Sequence, residues 1–472
     1  MRRISLRSVC AIAGLALVTA LTSGCLGQSR DADPSKNKGV KEFSLTIATN
    51  AIKGGKNSEG ATWIEDWVIP EFVKAQKKKG VTAKVKFQPS GVDDEDYKSK
   101  ISLDMQSGKG ADVVDLDGIW IGEFAESGYI KPLDDVVGGG KIKAWDGWGQ
   151  IPESVQLNGA YEDKRYGVPA GTDGRVIFFN KSLFAKAGLP ADWQPTTWDE
   201  ILKASRTLKS KLPKVTPIQL NAGTAMGEAT TMQGFLPLLA GVGGEVNVDG
   251  KWLGDGQQIR DVLDFYHTVY AEELGDPVLQ KEAKGRDKSF QQFADGEIAI
   301  LLEGDYFWRD VIDPADGIAP MKDRDTAVGY AMIPAMSPGA GIRGQDFVSM
   351  SGGSARVLNP NSDYPQQAWE LLQFMNSAEA IKAELGEGAR ITARQDVNAE
   401  VLSNDPMLTF ASEQVLPLTA FRPGLAEYPE VSLALQEATL AVVGGKSAKA
   451  AAADYQAKLE KITGGADEIT SG

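Results

Sequence analysis

Two short segments of this chain combine carboxylates with aromatic rings at the ends of predicted strands. One segment, residues 115–120, follows the apolar run at 111–116, and the other, residues 303–309, follows the run at 298–302. Open α/β sheets bind ligands at the carboxyl ends of their strands. A carbohydrate presents hydroxyls at its rim and apolar C–H faces, which suit carboxylates, amides and arginine on the rim and flat aromatic rings on the faces. The two segments therefore have the side chains that a carbohydrate-binding site needs.

A third polar segment, residues 171–175, precedes the apolar run that starts at Val176, so it fits only as a connection between lobes. Most of the 10 tryptophans must pack in cores or on lobe surfaces. For Trp120, Tyr306 and Trp308, ligand contact and packing both stay open. Packing is favoured for the remaining rings considered, which are Trp145, Trp148, Trp193, Trp198 and Trp369.

Most catalytic chemistry is excluded by the residues that the chain lacks. Its single histidine, His267, lies in a helical run, so no HExxH or histidine-rich zinc site can form. Residues 444–447 match the end of the P-loop motif, but Leu440 occupies the position of its first glycine, so the motif is incomplete. The acidic run at 115–118 suggests a calcium-binding loop. Such a loop would need oxygen ligands at positions 113 and 124 as well, where this chain has Val113 and Phe124. We predict no cofactor and no metal, whereas a glycosidase with a carboxylate pair stays possible.

The N-terminus predicts export. Arg2, Arg3 and Arg7 precede an uncharged stretch, residues 8–24, which is too short to span a bilayer and has the pattern of a secretory signal. Cys25 directly after small residues resembles a bacterial lipobox, although Thr22 replaces the usual aliphatic residue. Cys25 would then be lipidated and anchor the protein to the outer face of the cell membrane. The alternative is an ordinary secreted protein with an incidental cysteine.

Composition limits the partners. The 472 residues carry a formal charge of −14, which argues against nucleic acid or an anionic membrane face as partner. With 42% hydrophobic residues the chain can bury large cores. Of its 2 cysteines, Cys10 lies inside the signal, so no disulfide framework can form in the mature chain.

Strand-like and helix-like runs alternate along the chain. Residues 25–42 lack apolar periodicity and predict a flexible tether, after which Phe43, Leu45 and Ile47 alternate as in a strand. A capping box, Thr197–Glu200, opens a predicted helix that continues through Leu208. This alternation favours βαβ units, and hence an α/β protein with more than one lobe.

Six segments in order resemble the extracellular solute-binding proteins of ABC importers, in the family 1 sugar-binding group that includes maltose-binding protein. They are residues 111–133, 166–173 with 179–181, 293–308, 352–353, 366–375 and 388–394. The resemblance implies a two-lobed periplasmic-binding-protein fold of the Venus-flytrap type, each lobe a mainly parallel sheet flanked by helices. It places hinge crossovers near 170–174 and 332–348, with lobe 1 formed by 43–170 and 345–395. Lobe 2 would be formed by 174–335 and 396–472.

The resemblance also implies the ligand and the partners. An oligosaccharide would be captured between the lobes and delivered to ABC permease subunits in the membrane by a monomeric, lipid-anchored protein. The ligand-binding residues carried over are Asp117, Trp120, Asp173, Gln233, Asp305, Tyr306, Trp308, Gln345, Asp346, Gly352 and Arg390. Two alternatives stay open, namely a secreted carboxylate-dependent glycosidase or lyase and a carbohydrate-adhering surface protein without a permease.

Overall fold

The computed structural model describes residues 32–472, apart from positions 93, 316 and 387. The predicted signal peptide, residues 1–24, and Cys25 lie outside the described residues. In chain order the strands are β1 (Glu42–Thr49), β2 (Thr82–Pro89), β3 (Val113–Asp117), β4 (Ala160–Tyr161), β5 (Lys164–Arg165), β6 (Gly167–Pro169), β7 (Arg175–Asn180), β8 (Thr216–Gln219), β9 (Asn247–Val248), β10 (Lys251–Leu253), β11 (Ile298–Gly304), β12 (Val328–Ala331), β13 (Ile333–Pro334), β14 (Phe347–Ser351), β15 (Ser354–Leu358), β16 (Thr419–Phe421) and β17 (Ile469–Thr470).

The α-helices of the described residues alternate with these strands. They are α1 (Ser58–Trp63), α2 (Ile69–Lys78), α3 (Asp94–Gln106), α4 (Ile121–Glu126), α5 (Gly139–Lys143), α6 (Glu153–Gln156), α7 (Lys181–Ala187), α8 (Trp198–Lys211), α9 (Glu228–Thr230), α10 (Leu236–Gly241), α11 (Gln257–Ala271), α12 (Gly285–Ala294), α13 (Arg324–Ala327), α14 (Pro365–Met375), α15 (Ala378–Leu385), α16 (Gln395–Val401), α17 (Pro406–Phe410), α18 (Tyr428–Val443) and α19 (Ala448–Ile462).

The first lobe is built on a five-stranded sheet in the order β2-β1-β3-β15-β6. Side chains alternate across it: Leu45 and Ile47 enter one core cluster, whereas Val114 and Leu116 enter another on the opposite face. This alternation follows from the two-residue period of a strand, and it allows helices to cover both faces.

The second lobe repeats this design with a four-stranded sheet in the order β12-β7-β11-β8. On β7, Ile177 and Phe179 face one cluster, and Val176 and Phe178 face the other. Both main sheets are mixed rather than mainly parallel. β1 is parallel to β2 and β3, and β11 is parallel to β8, but β15, β6, β7 and β12 pair antiparallel with their neighbours. The antiparallel β6, β7 and β15 directly flank the crossovers, which reverse the direction of the chain between lobes.

Two crossovers run side by side between the lobes. The Ala170 N–H donates to the carbonyl of Ser354 at 2.9 Å, and the hydroxyls of Thr172 and Ser351 lie 2.6 Å apart. A Cβ on Gly353, whose φ is +126°, would lie 2.3 Å from the Gly171 carbonyl oxygen, so this close crossing requires glycine. The first crossover, residues 170–174, connects β6 to β7. The second lies at 352–353 rather than 332–348, because β14 still pairs with β13 and β16 of the second lobe.

Part of the predicted tether is held against the first lobe. Two side chains near the start of α14 donate hydrogen bonds to the backbone of the tether. Gln366 donates to the Pro34 carbonyl at 2.7 Å, and Gln367 donates to the Asn37 carbonyl at 3.0 Å. These contacts join positions more than three hundred residues apart, so no local pattern in 25–42 could indicate them. Across the described range, no helix has both the length and the hydropathy to cross a membrane.

Candidate functional site

A cavity of about 710 Å³ lies between the two lobes. The first lobe lines it with Glu59 of α1, Glu384 of α15 and Arg390, and the second lobe contributes Arg309 and Arg324. The predicted ligand residue Arg390 is therefore in the cleft. The side chains facing this space are mainly charged, and we call it the cleft cavity.

Carboxylates hold the three arginines of the cleft cavity in place. Arg390 Nη2 lies 3.0 Å from Glu384 Oε1, Arg324 Nε lies 2.8 Å from Asp325 Oδ1, and Arg309 Nη1 lies 2.5 Å from Asp310 Oδ2. Paired in this way, the guanidinium groups keep fixed directions and still have N–H donors to spare, since each carries five. The cavity can thus offer oriented donors and acceptors to a polyhydroxylated ligand.

Beside the cavity, a group of hydrogen-bonded polar groups lies at the crossovers, and we call it the hinge cluster. It consists of the half-buried Asp173, the buried Arg175, Gln233 and Asp305, and the backbone N–H of Gly352. Asp173 pairs with Arg175, and its Oδ1 accepts the Gly352 N–H at 2.7 Å. Arg175 Nε donates to Gln233 Oε1 at 3.1 Å, and the Gly174 N–H reaches Asp305 Oδ1 at 3.4 Å. Four residues predicted from the sequence are thereby brought together, with Arg175 at the centre.

The two acids of the hinge cluster are shifted in opposite directions. Burial alone would raise the pKa of Asp173, but the Arg175 guanidinium and the Gly352 N–H hold it below its ordinary value. Burial raises the pKa of Asp305 to about 6 against the opposing charge of Arg309, and the negative charge of Asp173 adds to the rise.

Arg309 connects the hinge cluster to the cleft cavity. Its Nε lies 3.5 Å from Asp305 Oδ2, and neither buried atom has a hydrogen-bond partner among the described residues. Arg309 lies in a π-helical turn, Phe307–Val311, and Gln233 lies in another, Thr231–Phe235. Such turns insert an extra residue into a helix and occur frequently at functional sites, because they redirect side chains.

Asp117 belongs to an ion pair that bridges the lobes. Its Oδ1 lies 3.7 Å from Nη2 of Arg422, which follows β16 in the second lobe and also pairs with Glu228 at 3.2 Å. Burial raises the pKa of Asp117, and the Arg422 charge opposes the rise. The neighbouring backbones touch as well, since a Cβ on Gly122 would lie 1.8 Å from the Gly424 carbonyl oxygen.

The predicted tryptophans lie in cores rather than open in the cleft. Trp120 is 5% exposed and packs against Tyr97 in the first lobe. Trp308 is 3% exposed; Arg324 lies over its ring at 4.1 Å, and its indole N–H donates to Asp405 at 2.9 Å. Because Arg324 and Asp405 line the cleft cavity, Trp308 supports the wall from behind. Tyr306 is half-buried, with the Arg309 guanidinium 5.8 Å from its ring centre.

Gln345 and Asp346 lie outside this site. They belong to the turn that connects β13 to β14, where Asp346 Oδ1 accepts the Gly339 N–H at 2.8 Å. The expectation that they sit at a crossover was wrong because the whole of β14 separates them from Gly352.

The list carried over from the resemblance omitted Arg175, Arg309, Arg422 and Glu228. The first two stand in the polar segments that drew attention in the sequence, so their position was a usable signal. Arg422 and Glu228 carry no local pattern. Throughout the part of the chain that the structure describes, no group of three or more His, Cys, Asp or Glu side chains could hold a metal ion.

Comparisons with known proteins agree with this architecture. The family model of the bacterial extracellular solute-binding proteins matches residues 57–382. A putative binding protein of Brucella abortus is 24% identical over 77% of this chain and 83% of its own length. A maltooligosaccharide ABC transporter solute-binding lipoprotein of Streptococcus pneumoniae is 24% identical over 94% of both chains.

Among solved structures, the sugar-binding protein MalE of Xanthomonas citri has a TM-score of 0.71, with 19% identity over 89% of this chain and 98% of that one. This likeness confirms the two-lobed α/β fold.

Proposed function

The chain belongs to the family of bacterial extracellular solute-binding proteins, and we propose that it is the substrate-binding lipoprotein of an ABC-type carbohydrate importer. It captures an oligosaccharide between its lobes and delivers it to permease subunits in the membrane. The observation that carries this proposal is the cleft cavity, whose lining comes from both lobes and is rich in oriented hydrogen-bonding groups. The relative from Streptococcus pneumoniae, which aligns over 94% of both chains, bears the name of such a lipoprotein.

The polar lining favours a selective sugar binder. Sugar hydroxyls can donate to Glu384 or Asp310 and accept from Arg309 or Arg390. When the lobes close and exclude water, a ligand that lacks one of these hydroxyls leaves a hydrogen bond unmade, which is penalised more strongly than a lost methylene in an apolar pocket. Behind this lining, the ion pair of Arg309 with Asp305 positions the guanidinium group of Arg309 at the cavity.

Binding is coupled to closure of the lobes. Because the contacts come from both lobes, only the closed form makes all of them, so the ligand shifts the equilibrium toward closure. The Asp117–Arg422 pair and the Gly122–Gly424 contact also join the two lobes, and Arg422 lies close to the crossover at Gly352.

The proposal assigns retention at the membrane to a lipid on Cys25. The protein then acts as a monomer on the extracytoplasmic side. The proposal includes no catalysis by this chain. The glycosidase alternative gains no support from the comparisons, because the relatives reported above are named as binding proteins.

The test is titration calorimetry of the mature protein against maltose, maltotriose, diacetylchitobiose and xylotriose, with analysis of the recovered sugar. We expect one of these to bind and to be recovered intact. Arg309→Met keeps the length of the side chain but removes its donors, and we expect at least a tenfold loss of affinity. The control is Arg206→Met, because Arg206 pairs with Glu272 on the surface. Release of new reducing ends, or equal affinity in both variants, would contradict the proposal.

A further inference from the structure

A second cavity, of about 310 Å³, enters the first lobe beside the carboxyl ends of β1 and β3, and we call it the inner pocket. Glu59, Glu384 and Arg390 line both this pocket and the cleft cavity, so the two spaces adjoin at these three side chains. Its volume is at the lower end of the roughly 300–1,000 Å³ typical of ligand pockets. The space suits a single small ring rather than a longer chain.

The inner pocket is closed at its far end. Three of its lining residues, Ile47, Val113 and Met375, are at most 2% exposed and belong to the core of the first lobe, so the pocket ends against packed side chains. A chain molecule that enters from the cleft therefore cannot pass through and must stop with its end inside.

One side of the inner pocket is charged. Asp115 on β3 is directly opposite Arg356 on β15. Arg356 Nη1 donates to Asn376 Oδ1 at 3.0 Å, and its Nη2 lies 3.6 Å from Glu384 Oε2. Glu384 in turn pairs with Arg390 at the mouth. Asp115 lines the pocket and is half-buried, and its Oδ1 has no hydrogen-bond partner within the described residues, so the carboxylate has unused acceptor capacity on this side of the pocket.

Trp63 joins the core residues Ile47, Val113 and Met375 in the apolar part of the lining. The Arg356 guanidinium lies 5.0 Å from the Trp63 ring centre, and the indole N–H donates to the Ala380 carbonyl at 2.8 Å, so this wall is rigid. A sugar ring has the matching form, with hydroxyls along its edge and C–H groups on its face.

We propose that the inner pocket receives the terminal unit of the oligosaccharide, with ring hydroxyls donating to Asp115 and Glu384, and that the protein therefore binds its ligand by a free chain end. This inference rests on the proposed function and adds the mode of recognition. Linear oligosaccharides fit, because the following units extend into the cleft cavity. A cyclic oligosaccharide has no end to insert and does not fit.

The test places a large side chain in the inner pocket by substitution. Gly60 of α1 lines the pocket, and a Cβ placed on it meets nothing within 4 Å, so Gly60→Phe blocks the entrance without a clash at the backbone. The matched control is Gly140→Phe, because Gly140 is also helical and open but lines neither cavity. A second variant, Asp115→Asn, keeps the shape and removes the charged acceptor. Melting temperatures confirm that each variant is folded.

The probes are maltotriose, diacetylchitobiose and the cyclic hexasaccharide α-cyclodextrin, titrated into each protein. We expect a linear probe to bind the wild type, at least tenfold weaker binding to Gly60→Phe and Asp115→Asn, and a change of less than twofold in Gly140→Phe. The cyclic probe should not bind. If a linear probe binds both pocket variants like the wild type, or if α-cyclodextrin binds as tightly as maltotriose, the end-recognition proposal is overturned while the proposed function stands. If the wild type binds none of these and no sugar of the earlier panel, the proposed function fails and this inference falls with it.

Discussion

Replacing Gly122 by alanine should destabilise this protein, although alanine normally favours a helix. Gly122 lies in α4, where helix propensity alone would favour alanine by up to about 1 kcal/mol. The new Cβ, however, would stand 1.8 Å from the Gly424 carbonyl oxygen and 3.1 Å from the Tyr161 ring. Ordinary contact begins at 3.4 Å, so the Gly424 backbone must move by about 1.6 Å. Overpacking of this kind costs about 1–3 kcal/mol.

Backbone yields less readily than a flexible side chain, so we expect the upper part of that range and a net loss of about 1–2 kcal/mol. The measurement is urea unfolding of the ligand-free mature protein, compared with wild type and with Gly140→Ala. Gly140 is helical and its Cβ would meet nothing within 4 Å, so that variant should be as stable as wild type or slightly more stable. If Gly122→Ala is as stable as wild type, the lobes do not meet at Gly122 and Gly424 as described.

Three further predictions concern Asp305, the buried tryptophans and Cys25. Because the folded state raises the pKa of Asp305 to about 6, the proton on this carboxyl stabilises the fold, and that stability is lost as pH rises from about 4 to about 6. The loss of unfolding free energy amounts to about 3 kcal/mol for two pKa units. Asp305→Asn should flatten the decline of the unfolding free energy between pH 4 and 7. An unchanged pH profile in this variant would refute the assignment. Trp120→Ala and Trp308→Ala should each lower the unfolding free energy by about 3–5 kcal/mol, as for core rings; a loss below about 1 kcal/mol together with lost sugar binding would instead show a ring that stacks on the ligand. Cys25→Ser should release the protein from the membrane fraction without changing its affinity for sugar, and unchanged fractionation would argue for anchoring by residues 1–24.

The sequence by itself determined the type of fold and much of the chain order. The Thr197 hydroxyl caps α8 by accepting the Glu200 N–H, as the capping box predicts, and α8 continues to Lys211, slightly beyond the predicted Leu208. Apolar alternation predicted β1, and apolar runs predicted β3 and β11. The acids that follow these two runs in the sequence therefore lie at or near the carboxyl ends of the two strands. These signals are readable because capping and strand periodicity depend on residues close together in the chain.

Only the tertiary structure decided what surrounds each side chain. Trp120 and Trp308 stand in segments with the composition of a sugar site, yet both are buried, because burial depends on which distant elements pack over a ring. Asp117 gained its partner Arg422, and the tether gained its contacts with α14, from positions hundreds of residues away. The antiparallel strands β6, β7 and β15 and the true position of the second crossover likewise depend on pairing between remote segments. No local pattern encodes such contacts, since their free energy comes from surfaces that meet only when the whole chain is folded.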